Sequence, residues 1–272
     1  MTRYYQTLGR NLAGQAVGIL LLDTFAPHMP GNVANQATYP FPVRFKVIPG
    51  SSSDKLLYQG GGDMLEPLIE SALELQRDGA RAISAGCGYF ARFQNQVADA
   101  LDIPVFLTSL LQVPMIATGL KRNQKLGIIC ADETILQREP QILTNIGISA
   151  SIPYVVAGLQ DCPEFSSTFL GNSGNIEHDE VQRELLGVVK RLVERNPDVG
   201  ALLFECSDLP PYAWAAQLEV RLPIWDYSTM IRWIYNGIVR EPFVGYPGDF
   251  STTPPATASA NGRAEQSAEL AR

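Results

Sequence analysis

Histidine is nearly missing from this chain, with only His28 and His178 among 272 residues, and neither a CxxC nor an HxxxH spacing accompanies them. That scarcity argues against a zinc site, whose ligands recur at short fixed intervals. Basic charge is also short: 21 Lys and Arg face 28 Asp and Glu, a net charge of -7. Nucleic-acid binding needs a basic footprint for the phosphate backbone, so that class is excluded, and an acidic surface serves mainly solubility. No apolar run approaches the roughly 18 residues of a membrane span, and Met1 to Gly14 is too polar for a secretory signal. A cytoplasmic location is the expectation. Four cysteines are too few for a disulfide framework in a chain of this size, and a reducing compartment keeps them as thiols. The triplet Gly60, Gly61 and Gly62 lacks the ending of a phosphate loop and reads as a turn into a helix capped by Asp63.

What is present is one unit written twice. An apolar run from Gly79 ends at Cys87 and is followed by a helix-like stretch, then Ile103, Pro104, Thr108 and Ser109. A second run from Val199 ends at Cys206 and leads through the same plan to Leu222, Pro223, Tyr227 and Ser228. Cys87 to Cys206, Pro104 to Pro223 and Ser109 to Ser228 are each separated by 119 positions. A looser echo pairs Gly18–Asp23 with Gly127–Asp132 at an offset of 109. Cys130 and Cys162 have no such partner; the first reads as a small packed hydrophobe and the second as a loop residue.

Short β-branched runs alternate with longer stretches of helical period, which predicts parallel strands joined by crossover helices. The expected fold is α/β, two similar pseudo-symmetric lobes, each a parallel sheet flanked by helices. Strands are predicted at Ala16 to Leu22, Val43 to Ile48, Ala82 to Ala85, Val105 to Leu107, Leu126 to Cys130, Ser151 to Val156, Ala201 to Phe204 and Ile224 to Trp225. Residues 15–110 form the first expected lobe, with 221–245 able to pack back on it, and 111–220 the second. The segment 251–272, rich in Ser, Thr, Ala and Pro, reads as a disordered tail.

In open α/β sheets ligands bind at the carboxyl ends of strands, where both cysteines fall. A helix start beside each thiol is expected to lower its pKa and make thiolate accessible near neutrality. Two thiols facing one cleft suit removal of a proton from one side of a carbon and its return on the other. These residues resemble the aspartate/glutamate racemase superfamily, over about residues 15–240. The resemblance implies a two-lobed, cofactor-independent racemase of an amino acid or related carboxylate, with Cys87 and Cys206 as its two bases. Family members carry the second cysteine before Thr and then Glu or His; here Ser207 and Asp208 follow Cys206. Many members follow the first cysteine with Asn and Thr, whereas Gly88 and Tyr89 stand here.

Expected substrate contacts are Gly88, Ser109, Ser207, Asp208, Asn35, Thr38 and Asp23. Several have a plainer reading. Asp208 either polarises the Cys206 site or caps a helix near Pro210, and Ser109 either donates to a carboxylate or caps its own helix. Asp23 stands where some racemases place an acid near the first cysteine, and equally suits a turn. Asn35 and Thr38 lie in the loop Pro27 to Pro42, beside Asn32, and Arg44 is either a partner for a distal carboxylate or a solvated cation. No cofactor, metal, nucleic acid or membrane partner is expected; homodimer formation is left open. The same scaffold also serves hydantoin racemases and maleate isomerases, and a non-catalytic ligand-binding module is the alternative from another class.

Overall fold

The computed structural model describes residues 13–241. The predicted tail at 251–272 lies outside those residues. Two four-stranded parallel sheets carry the fold, and their plans match. The first has the order β2-β1-β3-β4, with β1 Val17–Leu21, β2 Val43–Val47, β3 Ala82–Ala85 and β4 Val105–Phe106. The second has the order β6-β5-β7-β8, with β5 Lys125–Cys130, β6 Tyr154–Gly158, β7 Val199–Phe204 and β8 Ile224–Trp225. The 119-residue register carries β4 onto β8 residue for residue.

The glycines of the weaker echo have a packing reason. A Cβ at Gly18, on β1, would meet Leu75 and Ile83 side chains at 3.0 Å, and one at Gly127, on β5, would meet Leu202 at 2.5 Å and Leu192 at 2.9 Å. In each sheet the glycine lets a long helix lie close on the central strand. Those helices are Leu65–Arg77, burying Leu68, Ala72 and Leu75, and His178–Arg195, burying Val181, Leu185, Val189 and Leu192. Each fully buried aliphatic side chain contributes about 1.5–3 kcal/mol, so the two faces hold the helices firmly.

The lobes are laced together by the segments that follow their last strands. After β4 the turn Ser109–Gln112 and the helix Val113–Thr118 lead into β5. After β8 the helix Tyr227–Ile238 returns to the first lobe, where Tyr227, Met230, Ile231 and Ile234 form one apolar cluster with Val17, Ile19 and Ala82. Asp226 caps that helix in a reciprocal box with Thr229, and the Tyr227 hydroxyl donates to Leu107 O at 2.9 Å.

Some expectations need correction. Asp63 does not cap the helix after the glycine turn: Met64 holds the cap position, while Asp63 is paired with Lys55 at 3.0 Å. The turn itself is as read, with Gly60 and Gly61 at φ 74° and 64°, where a side chain would be strained. Arg44 is no free cation but pairs with Asp78 at 2.5 Å. β6 starts three residues later than predicted, because Ser151 and Ile152 belong to the turn before it. Among the described residues no helix is long and apolar enough to cross a membrane.

Candidate active site

β3 and β7 occupy equivalent interior positions in their sheets, and each delivers a cysteine just past its carboxyl end. After β3 the chain runs Gly86, Cys87, Gly88 and enters a tight helical turn, Gly88–Phe93, with Cys87 at its cap. After β7 it runs Glu205, Cys206, Ser207, Asp208 before the turn Pro210–Tyr212. Both loops line one pocket, together with His28 and Asn32 from the loop after β1. The loops touch directly: the Ser207 hydroxyl donates to Gly86 O at 2.8 Å.

Gly88 and Glu205 are sterically coupled. A Cβ at position 88 would collide with the Glu205 carboxyl, so the glycine is the space in which that side chain lies. Glu205 is fully buried, and neither carboxyl oxygen has a well-formed hydrogen bond among the described residues. Burial therefore dominates and pushes its pKa up to about 8; the Ala131 N–H offsets part of this, and Asp208 adds to it.

Cys206 is differently placed. Its thiol points at Asp208 Oδ2, 3.6 Å away, while Asp208 Oδ1 accepts a 2.6 Å hydrogen bond from Asn32 Nδ2. Burial raises the Asp208 carboxyl above its ordinary range, and Asn32, His28 and the thiol oppose the rise. The expectation of readily formed thiolates is corrected here. Burial holds both thiols well above their usual range, with Glu205 the next cause for Cys87 and Asp208 for Cys206. The N–H of Tyr89, at the start of the helical turn, does favour the Cys87 thiolate, but it is outweighed.

Of the residues expected to contact substrate, Gly88, Ser207 and Asp208 line the pocket. The others stand elsewhere. Ser109 is fully buried and donates to Phe204 O at 3.0 Å, bracing β7 from the neighbouring lobe. Asn35 caps the short turn Gln36–Thr38 and donates to His28 O at 2.8 Å. Thr38 donates to Asn32 O at 2.6 Å and accepts from the Gly31 N–H at 2.9 Å. Asp23 is exposed, its N–H bonded to Ser51 Oγ at 3.0 Å. Asn35 and Thr38 thus shape the loop that presents His28 and Asn32. Sequence reasoning passed over Glu205 and His28 as site residues. A carboxylate ending the apolar run Val199–Phe204 was the available signal, since such an acid seldom sits at the end of a buried strand without a task. Among the described residues no group of three or more His, Cys, Asp and Glu is arranged to hold a metal ion.

No protein-family model matches the chain. Among curated proteins it is similar to dimethylsulfoniopropionate lyase 7 of Emiliania huxleyi (strain CCMP1516), 25% identical over 239 residues, covering 85% of this chain and 69% of that protein. It is also similar to the dimethylsulfoniopropionate lyase of Durusdinium sp. clade D, 24% identical over 241 residues, covering 86% and 79%. Among solved structures, unliganded arylmalonate decarboxylase matches with a TM-score of 0.52 at 13% identity, over 86% of this chain and 96% of that one. Allantoin racemase from Klebsiella pneumoniae matches with 0.55 at 13% identity, over 83% and 90%. Glutamate racemase from Bacillus anthracis matches with 0.51 at 13% identity, over 82% of each. The chain has the fold of these decarboxylase and racemase structures, and the names of its curated relatives point to an enzyme. The expected racemase activity does not stand. Relatives that span most of the chain are lyases by name, and the finding equally displaces the hydantoin-racemase, maleate-isomerase and binding-module alternatives.

Proposed function

We propose that this protein is a lyase that takes a proton from the carbon next to a carboxylate and expels a leaving group from the carbon beyond, with dimethylsulfoniopropionate as substrate. One observation carries the substrate class. The pocket is lined by two thiols and two carboxyls, and no Lys or Arg is among its lining residues. A dicarboxylate amino acid would find no Lys or Arg there to pair with its second carboxylate. A sulfonium would lower the pKa of the acids around it and so draw out the opposite charge that balances it. The same cation that marks the leaving group thus helps to create the base.

Cys206 is the proposed base. Its hydrogen bond to Asp208 gives the thiol proton an acceptor, and Asn32 holds that acceptor in place. The thiolate takes the hydrogen next to the carboxylate, the C–H electron pair becomes the new double bond, and the C–S pair leaves on sulfur. Dimethyl sulfide and acrylate result, with the proton left on the thiol. Cys87 borders the substrate from the first lobe, and His28, whose Nδ1 is buried without a hydrogen-bond partner among the described residues, is the donor available to the carboxylate.

A racemase needs two matched bases because a proton must return to the opposite face of the carbon. Elimination needs only one, and the unequal surroundings of the two thiols suit it better. The test is to incubate the protein with dimethylsulfoniopropionate and follow dimethyl sulfide in the headspace and acrylate by NMR. Equimolar release of both is expected; no dimethyl sulfide above a heat-killed control would overturn the reading.

A further inference from the structure

We infer that Glu205 is the specificity-determining counter-charge of this pocket, holding it for substrates with a cationic head such as a sulfonium; this rests on the lyase reading above. The geometry is unusual in three respects. The carboxyl is completely enclosed, yet neither oxygen has a well-formed partner among the described residues. It lies in the pocket wall between the two cysteine loops, in a space kept open by the missing side chain of Gly88. Among the described residues it is also the carboxyl that stands close enough to raise Cys87, Tyr89, Cys130, Cys206 and Tyr227 together, with Asp208 the acid that acts on it in turn.

A buried acid without a cationic partner is costly to keep charged, so in the empty pocket Glu205 holds its proton. Entry of a cation reverses that preference, because opposite charges a few ångströms apart in a poorly solvated site attract strongly. Glu205 then gives up its proton and balances the sulfonium. When the C–S bond breaks, the sulfur leaves neutral and the fixed positive charge disappears. A proton remains behind on the thiol, and Glu205 is placed to take up a proton again as the cation goes. The carboxyl works through its charge rather than by contact, since its oxygens are shielded from the pocket's solvent.

Two isosteric ligands separate charge from shape. Dimethylsulfonioacetate is a cation-bearing carboxylate that cannot eliminate, since it has no carbon between its carboxylate and the sulfonium-bearing carbon; isovalerate is its neutral-headed isostere. Wild-type protein should bind the sulfonium about tenfold or more tighter than isovalerate at neutral pH, and Glu205→Gln should erase that preference while leaving isovalerate affinity unchanged or improved. A purely structural role would weaken both ligands alike. Calorimetry in buffers of different ionisation enthalpy supplies a measurement on the wild type alone: the sulfonium should release more protons on binding than isovalerate does. The inference is overturned if Glu205→Gln keeps the wild-type preference, if wild-type protein does not prefer the sulfonium, or if both ligands release equal numbers of protons. Release of dimethyl sulfide by the same wild-type preparation decides the lyase reading separately, so either can fail while the other stands.

Discussion

The loop after β3 brings one thiol between two glycines, whereas the loop after β7 brings a thiol, a hydroxyl and two carboxyls to the same pocket. Their strands share a register of 119 residues, so like backbones present unlike side chains to one pocket. The difference teaches how a duplicated scaffold can serve a reaction that is not symmetric. The first loop keeps its backbone slim enough for a carboxyl from the other lobe to lie against it. The second carries the groups to which the proposed reaction assigns its proton transfers.

Replacing the thiols one at a time is the most severe trial of that contrast. Cys206→Ser should lower kcat for dimethyl sulfide release about a thousandfold, the scale of a lost general base. Cys87→Ser should cost about tenfold, through misplacement of the substrate. Equal losses at the two positions would break the asymmetry. Asp208→Asn comes next, with a loss of about a hundredfold in kcat and an acid shift of the thiol's limb of the pH profile, because Cys206 loses both the proton acceptor 3.6 Å away and the negative charge that helps to hold its pKa up. An unchanged profile would remove Asp208 from the proton path.

Much of this architecture was legible in the chain, and the reasons are local. Apolar runs of two to seven residues marked the strands, and Gly18 and Gly127 repeated because each central strand needs a close helix. The short helices Glu133–Arg138 and Gln141–Asn145 escaped notice, being too brief to show a period. Within the site, residue type alone does not tell a ligand contact from a side chain on which the backbone has first claim. Ser109, Asn35 and Thr38 look like ligand contacts, and each donates to a main-chain carbonyl of the protein itself. Glu205 hid for the opposite reason: it ends an apolar strand, and only the three-dimensional meeting with Gly88 reveals why that position admits a carboxyl.

That meeting gives a smaller but sharper comparison, because Gly88 and Ser207 follow their cysteines at equivalent places. Gly88→Ala should destabilise the protein by about 1–3 kcal/mol, as an added methyl does in a filled core. The loss should shrink when Glu205→Ala empties the space, and the double-mutant cycle reads that coupling. Ser207→Ala removes the bond to Gly86 O and should cost about 0.5–1.5 kcal/mol with no dependence on residue 205. Additive effects of Gly88→Ala and Glu205→Ala would show that the two do not share one space.

The last comparison is the pH dependence of stability, where again only the second loop contributes. The Glu205 carboxyl is pushed up to about 8 by burial, against an ordinary value near 4.5 in the unfolded chain. Below the ordinary value both states hold the proton, and the group contributes no slope. Between about pH 5 and pH 8 the unfolded chain ionises while the folded one keeps its proton. The folded state then binds more protons, so stability falls as pH rises through this window and levels off above it. Glu205→Gln should flatten that fall, so that its urea midpoint gains on the wild type with rising pH. Asp208, raised in the same direction, leaves a residual slope. Cys87→Ser should not alter it, since burial keeps that thiol protonated throughout the window. Parallel wild-type and Glu205→Gln curves would mean that the carboxyl is already charged and paired in the folded protein, and the contrast between the loops would then lie in their thiols alone.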